Sequence, residues 1–454
     1  MKSFLSHLKL FFQDGTPAPG QVDDRGRITD RAIQNRNRLK FGIGNIMYQS
    51  EECGLGPIHT AIIKALGGGA VQLGYMGAAG SVGSLVQWLG AWLLARTGSS
   101  RRAMTFALLG GAAAGFALTA LLLMALEPSW RPWCLTGYVI FGLLLAGASG
   151  IQVNIETSWI GDLTPPSMMG WFTSIKWLIS ALGGLAFLLL FGAAAQWGAR
   201  HPQYELHVYA ALLLLVGCSH IVAVLLIRTI SDRRPQPANL LFAGKGNARL
   251  HYAALPFWGY IAFFVLWSGG RSSLIGFTTA YLLSLNYSMT GISMLLAIQF
   301  VISGLMLLVL GRVTDRFGSR RPLIAVSGVI ACCMFLWVAS AWFGLAPIIL
   351  YMIVNGAAGH AHSMLAINYG QEIFPSRGRA GYFGMSRVVI GVAVMLCTVS
   401  AGYFLHAVSA AGWTWQLWGA ELNAYHLLFT LCSLFTLCSV VPLLLVGRQT
   451  IPEE

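Results

Sequence analysis

The sequence GRVTDRFGSRRP, Gly311 to Pro322, is a short basic segment between two long apolar runs. It contains Asp315 and several arginines, whereas hydrophobic residues dominate the chain on either side. Charged side chains are costly in hydrocarbon, so a polar turn between two such runs fits the surface of a membrane. The segment therefore predicts two membrane-spanning helices joined by a basic loop.

The composition of the whole chain supports this interpretation. The protein has 454 residues, of which 56% are hydrophobic and only 10% are charged, compared with about 25% charged residues in soluble domains. The net charge of +13 does not indicate a nucleic-acid partner, because the Lys and Arg residues cluster in the connections between apolar runs. The composition predicts an all-α integral membrane protein with the lipid bilayer as its environment and no nucleic-acid partner.

Motifs of soluble enzymes and metal sites are missing from the sequence. The eight cysteines lie in or beside apolar runs and lack metal-ligand spacing. There is no glycine-rich phosphate loop ending in Lys-Ser/Thr and no H-E-x-x-H motif. We therefore expect no metal, no cofactor and no enzymatic activity.

Windows of about 20 mostly apolar residues predict twelve spans, at 41–66, 70–95, 103–126, 133–157, 170–197, 207–228, 254–283, 290–311, 322–344, 347–369, 380–405 and 424–447. The polar connection between the sixth and seventh spans contains two prolines. These features predict an N-terminal tail (1–40), a six-helix bundle (41–230), a central loop (231–252), a second six-helix bundle (253–447) and a C-terminal tail (448–454).

The distribution of basic residues predicts the orientation. Of the 29 Lys and Arg residues, 23 fall in the tails and in alternate connections on one side. Only Lys64, Arg131 and Arg200 fall on the other side, and three lie within spans. The positive-inside rule places both termini in the cytoplasm. We expect a monomer in the plasma membrane, which is the inner membrane in a bacterium.

The two halves of the chain repeat each other weakly at an offset of about 220 residues, as in many transporter folds. Arg316 falls on Arg96 and Gly318 on Gly98, whereas Asp315 meets an alanine. Further along, Asp162-x-x-Pro echoes Glu372-x-x-Pro, and Gly-Trp-Phe-x-x-x-Lys176 echoes Gly-Tyr-Phe-x-x-x-Arg387. The common order of these matches predicts two pseudo-symmetric halves.

On these residues the chain resembles the major facilitator superfamily. The signature G-x-x-x-D-R-x-G-R-R of that family is matched, with Ser319 inserted before the paired arginines, by Gly311, Asp315, Arg316, Gly318, Arg320 and Arg321. The resemblance extends over the chain through the helix count, the central loop and the topology. It implies two six-helix bundles that rock about a central cavity, and it identifies no subfamily.

The signature segment and its counterparts are candidate gating residues. Asp315 is placed to meet the positive N-terminal end of a helix, and the arginines are placed to pair with Glu372 or Asp162. Contacts that form in one conformation and break in the other bias a two-state equilibrium. The predicted gating set is Asp315, Arg316, Gly318, Arg320, Arg321, Arg96, Asp162 and Glu372. The alternative is a plain basic loop that sets topology.

Glu52 and Arg271 are the central candidates for substrate binding. Glu52 lies twelve residues beyond Lys40, which corresponds to a depth of about 18 Å in a hydrocarbon core of about 30 Å. The repeat places Arg271 at the equivalent position in the second half. We expect the two side chains to face each other across the cavity and bind substrate; the alternative is a permanent structural salt bridge.

Two histidines are candidates for proton coupling together with Glu52. His360 and His362 lie in the tenth predicted span, and an unperturbed histidine titrates near pH 6.5. Because residues two apart on a helix face different directions, at most one is expected to line the cavity. The alternative is that both are hydrogen-bonded packing residues.

The remaining polar residues within spans have several possible roles. Glu156 and Lys176 are at similar depth and predict a structural ion pair. Arg387 has no evident acidic partner in its own half, and is expected to bind an anion or to reach Glu372. Gln152 and Asn154 are candidate substrate-binding residues, with hydrogen bonds between helices as the alternative.

The sequence as a whole predicts a secondary active transporter that works by alternating access. The balance of acidic and basic candidates favours proton-coupled uptake of a small polar or anionic organic solute, such as a sugar or an organic acid. One alternative is proton-driven efflux of amphipathic drugs or lipids. An alternative of another class is a membrane receptor or enzyme without transport activity.

Overall fold

A computed structural model of the chain describes Gln21 and residues 27–51, 56–164, 166–230, 254–317, 319–374 and 379–446. The contacts between Cα atoms divide the chain into two compact units. The first unit comprises Met1–Ile58 and Val86–Leu240, and the second comprises His59–Leu85 and Leu241–Glu454. Residues 59–85, which belong to the predicted first bundle, are thus assigned to the second unit.

Helices make up nearly all of the described chain. In its first part they are α1 (Arg31–Gln49), α2 (Gly56–Ala65), α3 (Ala70–Gly77), α4 (Ala79–Leu85), α5 (Gln87–Thr97), α6 (Ser100–Met124), α7 (Arg131–Leu163), α8 (Pro166–Arg200) and α9 (Glu205–Ile227). They continue as α10 (Leu255–Ser284), α11 (Met289–Phe317), α12 (Arg320–Met334), α13 (Leu336–Phe343), α14 (Leu345–Ile373), α15 (Arg379–Ala410), α16 (Ala424–Cys438) and α17 (Val440–Val446). Short 3-10 turns at Pro128–Trp130 and Pro202–Tyr204 precede α7 and α9.

In the described part of the chain, eight helical stretches are long and apolar enough to cross a membrane. They are Ala70–Thr97, Ser100–Met124, Pro128–Ile160, Leu178–Arg200, Pro202–Ile227, Arg320–Phe343, Tyr382–Ala410 and Ala424–Val446. Each overlaps a predicted span, so the prediction of a multi-pass helical membrane protein is confirmed. Helices α10, α11 and α14 occupy three further predicted windows. The number of twelve spans in two bundles of six stays a prediction.

The basic segment at Gly311–Pro322 is more helical than predicted. Helix α11 runs to Phe317, and α12 begins at Arg320, so the predicted loop is reduced to the two residues between them. Helix α12 can begin there because Pro322 lies in its first turn, where the missing N–H has no helical partner to lose.

Side-chain caps and a tight turn define several element ends. Asp30 caps α1 by accepting hydrogen bonds from the backbone N–H groups of Ala32 and Ile33 at 2.8 and 3.0 Å. These hydrogen bonds, above all the one from the Ile33 N–H, hold the pKa of the Asp30 carboxyl below its usual value.

Strands β1 (Trp415–Leu417) and β2 (Ala420–Leu422) form an antiparallel hairpin. Its two-residue turn has positive φ at Trp418 (48°) and Gly419 (78°), the geometry that suits the twist of a hairpin.

The core of the first unit joins the N-terminal segment to α1 and α7. The Gln34 amide donates to the carbonyl oxygens of Ile28 and Leu163, both at 2.8 Å. The ring of Phe41 packs edge-on against Trp159, with centroids 5.2 Å apart. Buried amide bonds and aromatic packing therefore position α1 beside the end of α7.

The core of the second unit is aromatic and includes residues from distant helices. Tyr281 in α10 shares hydrogen bonds with Ser340 (2.8 Å) and with Nε2 of His426 (3.0 Å). Arg320 at the start of α12 donates to the carbonyl oxygen of Leu443 at 2.6 Å. These contacts position α10, the helix that carries Arg271.

Candidate functional site

The candidate site in the second unit is a polar cluster around Arg271, in the middle of α10. The guanidinium Nη2 donates to Oδ1 of Asn355 in α14 at 3.3 Å. One turn further along α14, a Cβ built at Gly359 would lie 3.8 Å from the same nitrogen, an ordinary contact distance. The guanidinium therefore lies against the face of α14 that carries Asn355 and Gly359.

Asn355, Gly359 and His362 follow one another at helical spacing, so they share one face of α14. His362 is 3% exposed, and its ring is stacked on Trp267 of α10 with centroids 3.8 Å apart and an interplanar angle of 15°. Arg271 lies close enough to interact electrostatically with His362. The cluster therefore combines a cation with a buried aromatic stack.

The cluster has unused hydrogen-bonding capacity. Nε of Arg271 and Nε2 of His362 are both buried and have no hydrogen-bond partner among the described residues. The carboxylates described in the second unit lie elsewhere, since Glu372 accepts from the backbone N–H of Ser319 at 3.0 Å and Glu421 lies in β2. Within the described part of the chain, Arg271 forms no ion pair. The predicted partner, Glu52, lies outside the described residues.

The polar residues of the first unit form a separate group. Lys176 in α8 and Glu156 in α7 are 2.8 Å apart and buried, and the amide of Asn45 donates to the same Glu156 oxygen at 3.1 Å. Gln152, one turn before Glu156, lies 3.5 Å from the carbonyl oxygen of Ala107. The four elements α1, α6, α7 and α8 thus surround a polar patch inside an apolar unit.

A small cleft beside this patch offers little room for a solute. Its lining residues are Phe41, Gly44, Asn45, Tyr48, Met104, Leu108, Gln152, Val153, Glu156 and Ile227. The space open to the centre of a water molecule is about 10 Å³, which is the size needed for about one water. Asn154 does not line the cleft but packs against Gly90 of α5.

Several predicted gating residues have partners other than those expected. Arg320 bonds to backbone oxygens at the end of α17, and Glu372 bonds to the backbone of Ser319. The Arg96 guanidinium lies 5.2 Å from the ring centroid of Trp92. No ion pair joins Arg387 to Glu372 in the part of the chain that is described, and the Arg387 side chain is exposed within its unit.

Six other predicted residues lie outside the residues whose side chains the structure describes. They are Glu52, Asp162, Asp315, Arg316, Gly318 and His360. Arg321 is exposed at the start of α12. The roles proposed for all of these residues stay predictions. Among the described residues, no group of three or more His, Cys, Asp or Glu side chains is placed to hold a metal ion.

The sequence predictions missed a buried network in the first unit. Ser149 in α7 donates to the Glu51 carboxylate at 2.6 Å, and Nε2 of His220 in α9 lies 3.5 Å from the same carboxylate. The three residues lie far apart in the sequence, in three different apolar runs. The only local signal was a charged or ionisable side chain within a predicted span.

The sequence matches no protein-family model and no curated protein significantly, whereas the structure matches solved transporters along most of its length. A nucleoside transporter, NupG, has 14% sequence identity and a TM-score of 0.65, covering 91% of this chain and 98% of its own. The xylose transporter XylE from E. coli, in an inward-open conformation, has 14% identity and a TM-score of 0.66, covering 88% and 94%.

A D-xylose-proton symporter has 17% identity and a TM-score of 0.61, covering 92% of this chain and 98% of its own. At this level of sequence identity, the comparison shows a similarity of fold. The match extends over nearly the full length of these solved proteins, and the sequence carries the signature segment at Gly311–Arg321. The chain therefore has the fold of these solved transporters.

Proposed function

We propose that this protein is a secondary active transporter of a small polar or anionic organic solute, and that Arg271 binds the anionic or electron-rich group of that solute. The observation that carries this proposal is the half-buried Arg271 guanidinium, whose Nε has no partner and which forms no ion pair among the described residues. A charge held within a membrane span is costly without a partner. A solute that supplies the missing negative charge would offset that cost.

The arrangement around Arg271 favours a planar, oxygen-rich group. A guanidinium presents its N–H groups in a fixed fork that matches the two oxygens of a carboxylate. Asn355 accepts a hydrogen bond from Nη2 at 3.3 Å, the Tyr351 hydroxyl also interacts with the guanidinium, and the buried Nε has no hydrogen-bond partner among the described residues. The stacked rings of His362 and Trp267 lie nearby and are buried, at 3% and 4% exposure, so they pack the cluster and leave recognition of the solute to the guanidinium. An organic acid is therefore the first candidate, followed by a sugar.

The transport mechanism that we propose is alternating access of two six-helix bundles with proton coupling. The fold supports this mechanism, and one solved structure of the same fold is described as a proton symporter. Glu52, His360 and His362 remain the proposed proton-coupling residues, and the segment around Asp315 the proposed gate. Proton-driven efflux of amphipathic compounds is the alternative direction, which the sign of the flux under an inward pH gradient distinguishes.

The test begins with a thermal-shift screen of carboxylates, sugars and nucleosides on the purified protein. The strongest stabilising compound is then used for flux into proteoliposomes, with and without a pH gradient. If no compound accumulates in either direction, the protein is not a secondary transporter of these solutes. A membrane receptor or enzyme then becomes the better explanation, particularly if compounds bind without flux.

The variant Arg271→Gln tests the binding residue. A hydrogen bond to a charged group contributes about 1.5–3 kcal/mol, so the affinity for the identified solute should fall at least about tenfold. Arg271→Lys keeps the charge but loses the fork, and should give an intermediate affinity. Arg200→Gln, at the exposed end of α8, is the matched control and should bind like the wild type. An unchanged affinity in Arg271→Gln would refute the assigned role.

A further inference from the structure

The buried pair Glu51 and His220 lies in the first unit, away from the Arg271 cluster. His220 is 0% exposed and Glu51 is 8% exposed. Nε2 of His220 lies 3.5 Å from Oε2 of Glu51. The Ser149 hydroxyl donates to the same carboxylate and lies 2.7 Å from Oε1 and 2.6 Å from Oε2. The pair thus links α9 to the end of α1, and Ser149 adds α7.

The hydrogen bond of the other ring nitrogen determines the tautomer of His220. Its Nδ1 lies 2.9 Å from the backbone oxygen of Val216. A carbonyl oxygen can only accept a hydrogen bond, so Nδ1 must carry a hydrogen. In a neutral imidazole Nε2 is then a bare acceptor. It faces the carboxylate of Glu51, which is also an acceptor when ionised.

Two acceptors that face each other at 3.5 Å repel unless a proton lies between them, and the repulsion is stronger in a buried setting than in water. One added proton removes the conflict. It forms an N–H bond at Nε2, which gives an imidazolium beside a carboxylate, or an O–H bond at Glu51, which can donate to Nε2. The proton comes from water, and the net charge of the pair changes from −1 to 0.

The ring of His220 packs closely against α6 at Gly111. A Cβ added to Gly111 would lie 2.6 Å from Cδ2 and 2.7 Å from Nε2 of His220, so glycine at this position makes room for the imidazole. The adjacent Gly110 has no such neighbour, because its Cβ would meet only Ala148 at 4.0 Å. The two glycines therefore provide a matched pair of test positions.

The other charged groups on the helices packed against α9 are engaged elsewhere or lie near helix ends. Lys40 in α1 donates to the carbonyl oxygen of Thr229 at 2.7 Å, and Arg101 in α6 to that of Ile230 at 2.6 Å. Lys176 in α8 pairs with Glu156. The other charged residues on these helices lie near helix ends. Arg31, Arg36 and Arg38 are in the first eight residues of α1, Arg102 is in the first turn of α6, and Arg200 is the last residue of α8.

We propose that Glu51 and His220 form a buried site that binds one proton shared between the two side chains. The site exists independently of any transported solute. If the protein is the transporter proposed above, this site would be a second place, besides the predicted Glu52 and His360, where a proton can be bound and released.

The test is nitrogen NMR of the intact protein in lipid nanodiscs, with 15N-labelled histidine rings and His220 assigned by the signals lost in His220→Gln. At neutral pH, Nδ1 should be protonated, and the Nε2 signal should be that of a protonated or hydrogen-bonded nitrogen. A bare Nε2, or a bare Nδ1, would overturn the proposal with the wild-type protein alone.

Three variants separate a proton shared with Glu51 from a proton held by His220 alone. In Glu51→Gln the carboxylate is lost, so the Nε2 signal of His220 should shift, and an unchanged signal would contradict sharing. Gly111→Ala should displace the ring and alter the Nε2 signal, whereas Gly110→Ala should not. Because no solute is added, a failed proton site leaves the transport proposal standing, and failed transport leaves the proton site standing.

Discussion

Individual charged residues in this protein are compensated across helices. Lys176 of α8 lies 2.8 Å from Glu156 of α7, and Asn45 of α1 donates to the same carboxylate at 3.1 Å. Both charged side chains are buried, at 5% and 7% exposure. Such a pair is stable only while both members are present, because either charge alone would remain in an apolar environment without compensation.

The single variant Lys176→Met should therefore destabilise the protein strongly. Breaking a buried pair from one side costs about 3–5 kcal/mol, which thermal unfolding in detergent would show as a large fall in the midpoint. The double variant with Lys176→Met and Glu156→Gln removes both charges and should recover most of the loss. If the double variant is no more stable than the single one, the charge pair is not the source of the effect.

Residue depth explains which partners could be anticipated. Glu156 and Lys176 lie near the ends of consecutive predicted spans on the same side of the membrane, and their opposite charges made them natural partners. Glu51 and His220 stand in the first and sixth predicted spans, and no repeat or spacing connects them. Arg271 was singled out by its charge and by the repeat that matches it to Glu52, but its contact with Asn355 depends on the packing of α10 against α14.

At the scale of elements, close approach of helices depends on glycine. In the second unit, a Cβ at Gly402 of α15 would lie 2.8 Å from the carbonyl oxygen of Ala70 and 3.0 Å from Cα of Gly74. The backbones of α3 and α15 therefore touch, as is common where membrane helices pack through small residues. Nothing lies within 4 Å of a Cβ at Gly384, which is on the same helix.

The variant Gly402→Val should force α3 and α15 apart. Overpacking of this kind typically costs about 1–3 kcal/mol, so the midpoint of thermal unfolding should fall. The matched variant Gly384→Val adds the same side chain to α15 at an open position and should change the midpoint little. Equal effects of the two variants would mean that the contact at Gly402 does not stabilise the unit.

At the scale of the whole molecule, the bias of basic residues predicts the orientation in the membrane. The connection 231–252 and both tails should face the cytoplasm, and the hairpin of β1 and β2 should face the opposite side. Trp418 at the tip of that hairpin is 87% exposed, so it is a suitable site for a chemical probe.

Cysteine labelling with a membrane-impermeant maleimide tests this orientation on sealed cells. Trp418→Cys should react in intact cells, whereas Ser231→Cys should react only after permeabilisation. The parent protein, with its eight native cysteines, measures the background. The opposite pattern of accessibility would show that the chain is inserted the other way round.

The amino-acid sequence by itself determined that this protein is helical and multi-pass, because the length and periodic placement of apolar residues are properties of each segment alone. It also determined the signature segment and therefore the resemblance that the fold confirms. Only the tertiary structure decided the partners of the buried polar groups, such as Asn355 for Arg271 and His220 for Glu51. Such pairings depend on distances between helices that lie far apart along the chain. The hydropathy of a segment depends only on its own residues and therefore does not predict those distances.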